Sequence, residues 1–181
     1  MAYAVVRTDL LAGTDVRSKM VSVEYLGGDG ATPTAIQNGN VVKIGALKTV
    51  DADNHIYERE IFVGTTPAAN DAVADIALIA TPELMYDATK KNLDDFINPA
   101  GRASRGYRLH TGDIFSVTKD ALDGASTPAI GDVVELKAGT KLNVVAAGTG
   151  ATSGSTVVGK IIAIDVVGRY TFYAIQVTAN I

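Results

Sequence analysis

The residues that could carry out chemistry in this chain are few. The sequence has two histidines, His55 and His110, and no cysteine. His110 followed by Asp113 could act as a base with its orienting carboxylate. Either Ser104 or Ser116 could then serve as the nucleophile. A polar residue is expected beside the turn at His110 in any case, so the pattern favours a structural role, and we predict that the protein is not an enzyme.

Two further motifs match part of a ligand-binding pattern and fail at a required position. Residues 154–160, Gly-Ser-Thr-Val-Val-Gly-Lys, have the spacing of a phosphate-binding loop, but Ile161 stands where a magnesium-binding Ser or Thr is needed. The following residues predict a strand, whereas that loop needs a helix N-terminus facing the phosphate. Residues 51–62 resemble a calcium loop, but Ile56 and Phe62 replace the required glycine and glutamate. We therefore expect no bound cofactor or metal.

The composition predicts a globular protein rich in β structure. Hydrophobic residues make up 47% of the 181 residues and charged residues 20%, with 18 glycines and only 5 prolines. This apolar content is enough to bury a core, and Val, Ile and Thr dominate the apolar runs, which favours strands. We predict a mainly β protein, a sandwich or barrel built of antiparallel hairpins.

The charge and hydropathy patterns exclude several classes of protein. A net charge of −4 and a pI near 5.1 argue against a general nucleic-acid binder, which needs a concentrated positive face. Arg7 and Asp9 interrupt the first apolar stretch, so no secretory signal is expected. No apolar run is long enough for a membrane span. We expect synthesis in the cytoplasm and binding to neither nucleic acid nor membrane.

The pattern along the chain predicts an extended N-terminal arm over residues 1–19 and a single β-rich domain over 20–181. An internal boundary near 121–130 is the alternative, since the sequence there becomes low in charge and rich in small residues. Thr81-Pro82 is a typical helix start, and Asn98-Pro99 is a typical helix end. We predict one short helical segment over 82–97.

The last predicted strand, residues 170–177, is apolar on both faces. Such a strand lies either in the centre of a sandwich or partly in an interface, because exposed apolar strands are normally covered or paired. The second alternative makes the protein a homo-oligomer. The predicted self-association residues are then Tyr170, Phe172, Tyr173 and Ile175.

Three stretches carry a resemblance to a known class of proteins: ELMYDATKKNLDDF (83–96), RGYRLHTGDIFSVT (105–118) and VGRYTFYAIQV (167–177). They resemble small structural proteins encoded beside the major capsid gene in tailed phages and prophages, the kind assigned to capsid decoration or head fibres. The resemblance implies a multimeric virion protein without catalytic activity. It implies binding to the outer surface of the shell of major capsid protein, and it transfers no active-site residues.

Two parts of the sequence are candidates for contact with that shell. An arm with few internal contacts would become ordered on docking, and a short basic stretch would steer the encounter. The predicted contact residues are Val5, Val6, Arg7, Leu10, Leu11, Arg102, Arg105 and Arg108. The alternative is that the arm is an edge strand of the core and that the arginines only solvate a loop. Two other functions stay open, a tail or other virion subunit and a carbohydrate- or ligand-binding β module.

Overall fold

Eleven β-strands in two sheets form the regular structure of residues 3–7, 19–48, 60–85, 87 and 89–178, which are the residues that the computed structural model describes. The strands are β1 (Met20–Tyr25), β2 (Val41–Leu47), β3 (Ile61–Thr65), β4 (Ile76–Ile79), β5 (Ser104–Arg108), β6 (Ile114–Thr118), β7 (Leu122–Gly124), β8 (Val133–Glu135), β9 (Leu142–Val145), β10 (Val157–Val167) and β11 (Tyr170–Val177). The mainly β class predicted from the composition is confirmed.

The first sheet is a closed five-stranded barrel in the order β1-β3-β2-β4-β5, in which β5 pairs back to β1. Among the strand pairs of this barrel, only β1–β3 is parallel. The interior is filled by buried apolar side chains: Val23, Ile36, Val42, Ile44, Ala77 and Ile79. Gly106 of β5 permits this packing, since a Cβ atom there would lie 3.2 Å from the side chains of Val21 and Val23.

The second sheet has six strands in the order β6-β11-β10-β8-β9-β7. One face of it packs against the outside of the barrel, so that Leu78 and Tyr107 of the barrel share one buried cluster with Phe115 and Ile175 of the sheet. The two sheets therefore form a sandwich around a common core. The chain passes from barrel to sheet between β5 and β6, ahead of the 121–130 region.

The connection between β4 and β5, residues 80–103, is here called the strap. In the part of it that the structure describes, the helical segment predicted over 82–97 is reduced to a 3-10 turn at Leu93–Asp95. The other described helical elements, Val73–Asp75 and Lys119–Ala121, are also 3-10 turns. Within the described residues, no helix has the length and apolar character needed to span a membrane.

Buried side-chain amides explain why the described part of the strap forms no helix longer than this turn. The side-chain amide of Asn98 donates to the carbonyl oxygen of Ile36 and to Oδ1 of Asn38, both at 3.0 Å. Oδ1 of Asn38 also accepts the backbone N–H of Thr81 at 3.0 Å. Both ends of the strap are thus hydrogen-bonded to the barrel, and these tertiary contacts override the local helix signals.

Residues 3–7 differ from the free arm that the sequence predicts. They lie along the outer edge of β6, where the backbone N–H of Arg7 donates to Ser116 and that of Thr118 donates to Val5, both at 2.8 Å. Val5 and Val6 are buried. Their burial contributes about 1.5–3 kcal/mol for each side chain, which offsets the cost of ordering this segment. Residues 3–7 therefore agree with the alternative prediction of an edge strand of the core. Residues 1–2 and 8–18, which include Leu10 and Leu11, lie outside the described residues.

A buried carboxylate anchors the loop between β9 and β10. Glu135 accepts hydrogen bonds from the side-chain amide of Asn143 at 2.8 Å and from the hydroxyl and the backbone N–H of Thr152 at 2.6 and 2.7 Å. Burial by itself raises the pKa of the Glu135 carboxyl, but these hydrogen bonds outweigh it and hold the pKa below its ordinary value. The ionised carboxylate therefore stabilises the fold.

We expect Glu135→Gln to lower the free energy of unfolding at pH 7 by about 1–3 kcal/mol, since hydrogen bonds to a charged acceptor are lost or weakened. Because the folded-state pKa is depressed, this contribution is present above the unfolded-state pKa and is lost as the pH falls through the folded-state pKa. Urea denaturation of the wild type and of Glu135→Gln at several pH values should show that the difference between their free energies of unfolding becomes smaller in acid. Asp165→Asn, at an exposed carboxylate, is the control. A difference in free energy of unfolding that stays constant with pH would contradict the prediction.

Candidate functional site

The groups that resembled a catalytic set have other partners. The carboxylate of Asp113 accepts the backbone N–H of His110 at 2.9 Å and pairs with Nζ of Lys19 at 2.5 Å. The His110 ring nitrogen lies 3.9 Å from the carboxylate. Ser104 lies in β5 of the barrel and Ser116 in β6 of the other sheet. Asp113 thus closes a turn, and its contacts do not orient a catalytic base.

The two ligand-binding motifs are also placed by the structure. Lys160, which ends the phosphate-loop-like sequence, lies within strand β10 and pairs with Gln176 of β11, where that motif would need a helix. Residues 51–59 of the calcium-like stretch, with His55, lie outside the described residues. Among the residues that are described, no group of three or more His, Asp or Glu side chains could hold a metal ion.

The three arginines of the predicted basic stretch do not form one surface. Arg105 and Arg108 both lie in β5, and residues three apart in a strand point to opposite faces. The guanidinium of Arg108 lies 5.4 Å from the ring centre of Phe62, which packs against the cluster inside the barrel. Arg102 is exposed in the strap. Closeness along the chain therefore does not place the three arginines on one surface, because side chains alternate between the two faces of a strand.

Most of the predicted self-association residues are inside the protein. Strand β11 lies between β6 and β10, and Phe172, Tyr173 and Ile175 are buried. Tyr173 and Ile175 belong to the common core. On the other face, the guanidinium of Arg7 lies 5.7 Å from the ring centre of Phe172. The apolar pattern on both faces thus reflects a central strand, so these three side chains do not form an exposed interface.

Two of the predicted shell-contact residues and two of the predicted self-association residues instead meet at one groove, here called the hairpin groove. Its volume is about 200 Å³, and it is lined by Val6, Arg7, Glu83, Leu93, Val167, Tyr170 and Phe172. It forms where the N-terminal segment, the strap and the β10–β11 hairpin converge. Leu93 and Val167, which the sequence did not single out, are 41% and 47% exposed. The groove therefore presents apolar side chains to solvent.

Asp94 of the strap contacts both the β10–β11 hairpin and the N-terminal segment, the other two elements that form the hairpin groove. Its carboxylate accepts a hydrogen bond from the Tyr170 hydroxyl at 2.8 Å and pairs with the guanidinium of Arg169. Its backbone carbonyl accepts the N–H of Tyr3 at 3.0 Å. Burial raises the pKa of the Asp94 carboxyl, but the Tyr170 hydrogen bond and the Arg169 ion pair together lower it below its ordinary value. The strap, hairpin and N-terminal segment are thus held in one arrangement.

The outer part of β10 extends the apolar surface beyond the groove. Its pairing with β8 covers only residues up to Lys160, and in the part of the chain that the structure describes no strand pairs with the outer edge of residues 162–167. Ile164 and Val166 face solvent there, the latter with 72% of its surface exposed. Open edges and apolar patches of this kind are typical of interaction sites.

The comparisons with known proteins do not add a relative. Comparing the chain with protein-family models, with curated proteins and with solved structures found no match. The function must therefore be inferred from the groove itself and from the residues that build it.

Proposed function

We propose that this protein is a virion structural protein of a tailed phage or prophage, a capsid decoration or accessory protein without catalytic activity. It binds the outer surface of the shell of major capsid protein and stabilises that shell. The observation that carries the proposal is the hairpin groove. Two of the three stretches that resemble capsid accessory proteins, 83–96 and 167–177, supply the strap and the hairpin that form its walls.

The exposed residues of the groove suit a protein partner. Leu93 and Val167 are apolar and accessible, and Tyr170 and Arg7 line the same cavity. Aromatic and Arg side chains around an apolar centre are the composition of interface cores. We therefore assign the shell contact to this groove and the adjoining edge of β10. Self-association would use that same open edge, because Phe172, Tyr173 and Ile175 of β11 are buried.

Binding of the purified protein to capsids that lack it tests this proposal. Leu93→Asp and Val167→Asp each replace an apolar side chain of the groove with a carboxylate, which loses the apolar contact and must give up its hydration when the shell binds. We expect each to weaken co-sedimentation with capsids by at least about tenfold, which is about 1.4 kcal/mol. Ile130→Asp is the matched control, because Ile130 is 65% exposed and does not line the groove.

Three results would decide the matter. Loss of binding in both groove variants with binding retained in Ile130→Asp supports the assignment. Equal binding by all variants would remove the groove from the interface. Binding of the wild-type protein to isolated tails, with none to capsids, would replace the decoration role with that of a tail subunit.

A further inference from the structure

A second cavity lies on the outer face of the barrel, between β1, β5 and the start of the strap. Its volume is about 380 Å³, and it is lined by Met20, Val21, Ser22, Thr81, Pro82, Ala103, Ser104 and Arg105. It shares no lining residue with the hairpin groove. An interaction here would therefore be separate from the proposed shell contact.

Pairing of β1 with β5 fixes the polar groups of this cavity. Ser22 and Arg105 are direct partners in the antiparallel register, so both side chains lie on the same, outer face, and both are exposed. Oγ1 of Thr81 accepts the backbone N–H of Arg105 at 2.9 Å, which leaves the hydroxyl hydrogen of Thr81 able to donate. Arg105 and the hydroxyl residues Ser22 and Thr81 thus border one open space.

In the described part of the chain, Arg105 lacks the kind of side-chain contact that Arg169 and Arg108 make. Arg169 pairs with Asp94, and Arg108 stacks on Phe62. Within the described residues, by contrast, no carboxylate lies within ion-pair distance of the Arg105 guanidinium. A guanidinium offers a planar set of donors that matches a carboxylate in two parallel hydrogen bonds. The cavity therefore has a recognition group for a carboxylate.

The size and remaining lining of the cavity indicate what carries that carboxylate. A volume of about 380 Å³ falls in the range of small-molecule sites, about 300–1,000 Å³. The hydroxyl groups of Ser22 and Thr81 can pair with further polar groups of a ligand, and Met20 and Pro82 supply an apolar wall. We propose that this cavity binds an acidic sugar, with its carboxylate on Arg105 and its hydroxyl groups on Ser22 and Thr81.

Titration with three small probes tests the ligand class. Glucuronate has both a carboxylate and a sugar ring with hydroxyl groups, whereas glucose lacks the carboxylate and acetate lacks the sugar ring. We expect saturable binding of glucuronate in NMR chemical-shift titrations, at least about tenfold tighter than that of glucose or acetate. Acetate binding as tightly as glucuronate would overturn the proposal in favour of an acidic side chain of a protein partner, and absence of saturable glucuronate binding would overturn it outright.

Two variants with the same change of charge test the site. Arg105→Gln should weaken glucuronate binding by at least about tenfold, the loss expected for charge-assisted hydrogen bonds. Arg102→Gln, at an exposed arginine that does not line the cavity, should bind as the wild type does. Both should keep the wild-type circular dichroism spectrum and bind capsids normally. Unchanged glucuronate affinity in Arg105→Gln would overturn the proposal without affecting the shell contact.

Discussion

Tyr173→Lys is expected to unfold the protein or to lower its free energy of unfolding by at least about 3–5 kcal/mol. Tyr173 is buried in the core shared by the barrel and the six-stranded sheet, in a strand that has neighbours on both sides. A lysine there would lose the packing of the ring and would place an ammonium group among apolar side chains. Both effects destabilise the folded state.

Urea denaturation followed by circular dichroism measures the change. Gln176→Lys is the matched control, because Gln176 lies exposed in the same strand, and it should alter the free energy of unfolding by no more than about 0.5 kcal/mol. A Tyr173→Lys protein of wild-type stability whose only defect is a loss of oligomers would contradict the structure, since it would make Tyr173 an interface residue.

Deleting residues 2–6 is expected to lower the melting temperature by roughly 4–8 °C, the equivalent of about 2 kcal/mol for a domain of this size. Val5 and Val6 are buried, and the backbone of Val5 exchanges hydrogen bonds with Thr118 of β6. The deletion exposes the apolar surface that these residues cover and opens the edge of β6. A free arm would give no such loss.

Calorimetry of the deletion and of Val5→Ala and Val6→Ala tests this expectation. Each single variant should lower the melting temperature, because each removes buried methyl groups from a packed site. Limited proteolysis gives an independent readout: the N-terminal segment should resist cleavage for as long as the core. A deletion protein with the wild-type melting temperature, together with early cleavage before residue 7, would show that the segment is a docking arm after all.

The features that the sequence predicted well depend on local patterns. The strand at 170–177 alternates two apolar faces, and a two-residue turn before it separates it from another β-branched run, so its place in a sheet follows from periodicity. The sequence left open whether this strand is central in the sheet or lies partly in an interface, and only its pairing with β6 and β10 shows that it is central. The helical segment predicted over 82–97 is reduced to a 3-10 turn because its structure depends on contacts distant in the sequence. Contacts of Asn38 and Asn98, which no local pattern reveals, bind both ends of the strap to the barrel.

The hairpin groove could not have been predicted from spacing. Leu93 and Val167 lie far apart in the sequence and become neighbours because Asp94 binds the hairpin residues Arg169 and Tyr170. The sequence placed Arg7 in the predicted shell contact and Phe172 in the predicted self-association surface. In the structure the two side chains contact each other, so both belong to the same groove. Such pairs depend on which loops meet above a sheet, which a single sequence does not specify.

Electron cryomicroscopy of capsids that lack this protein, imaged before and after incubation with it, tests the central claim most directly. We predict added density on the outer surface of the shell, at regularly repeated positions, with the β10–β11 hairpin and the strap facing the major capsid protein. Capsids that gain no density, or density in which the hairpin groove faces solvent while another surface contacts the shell, would contradict the account.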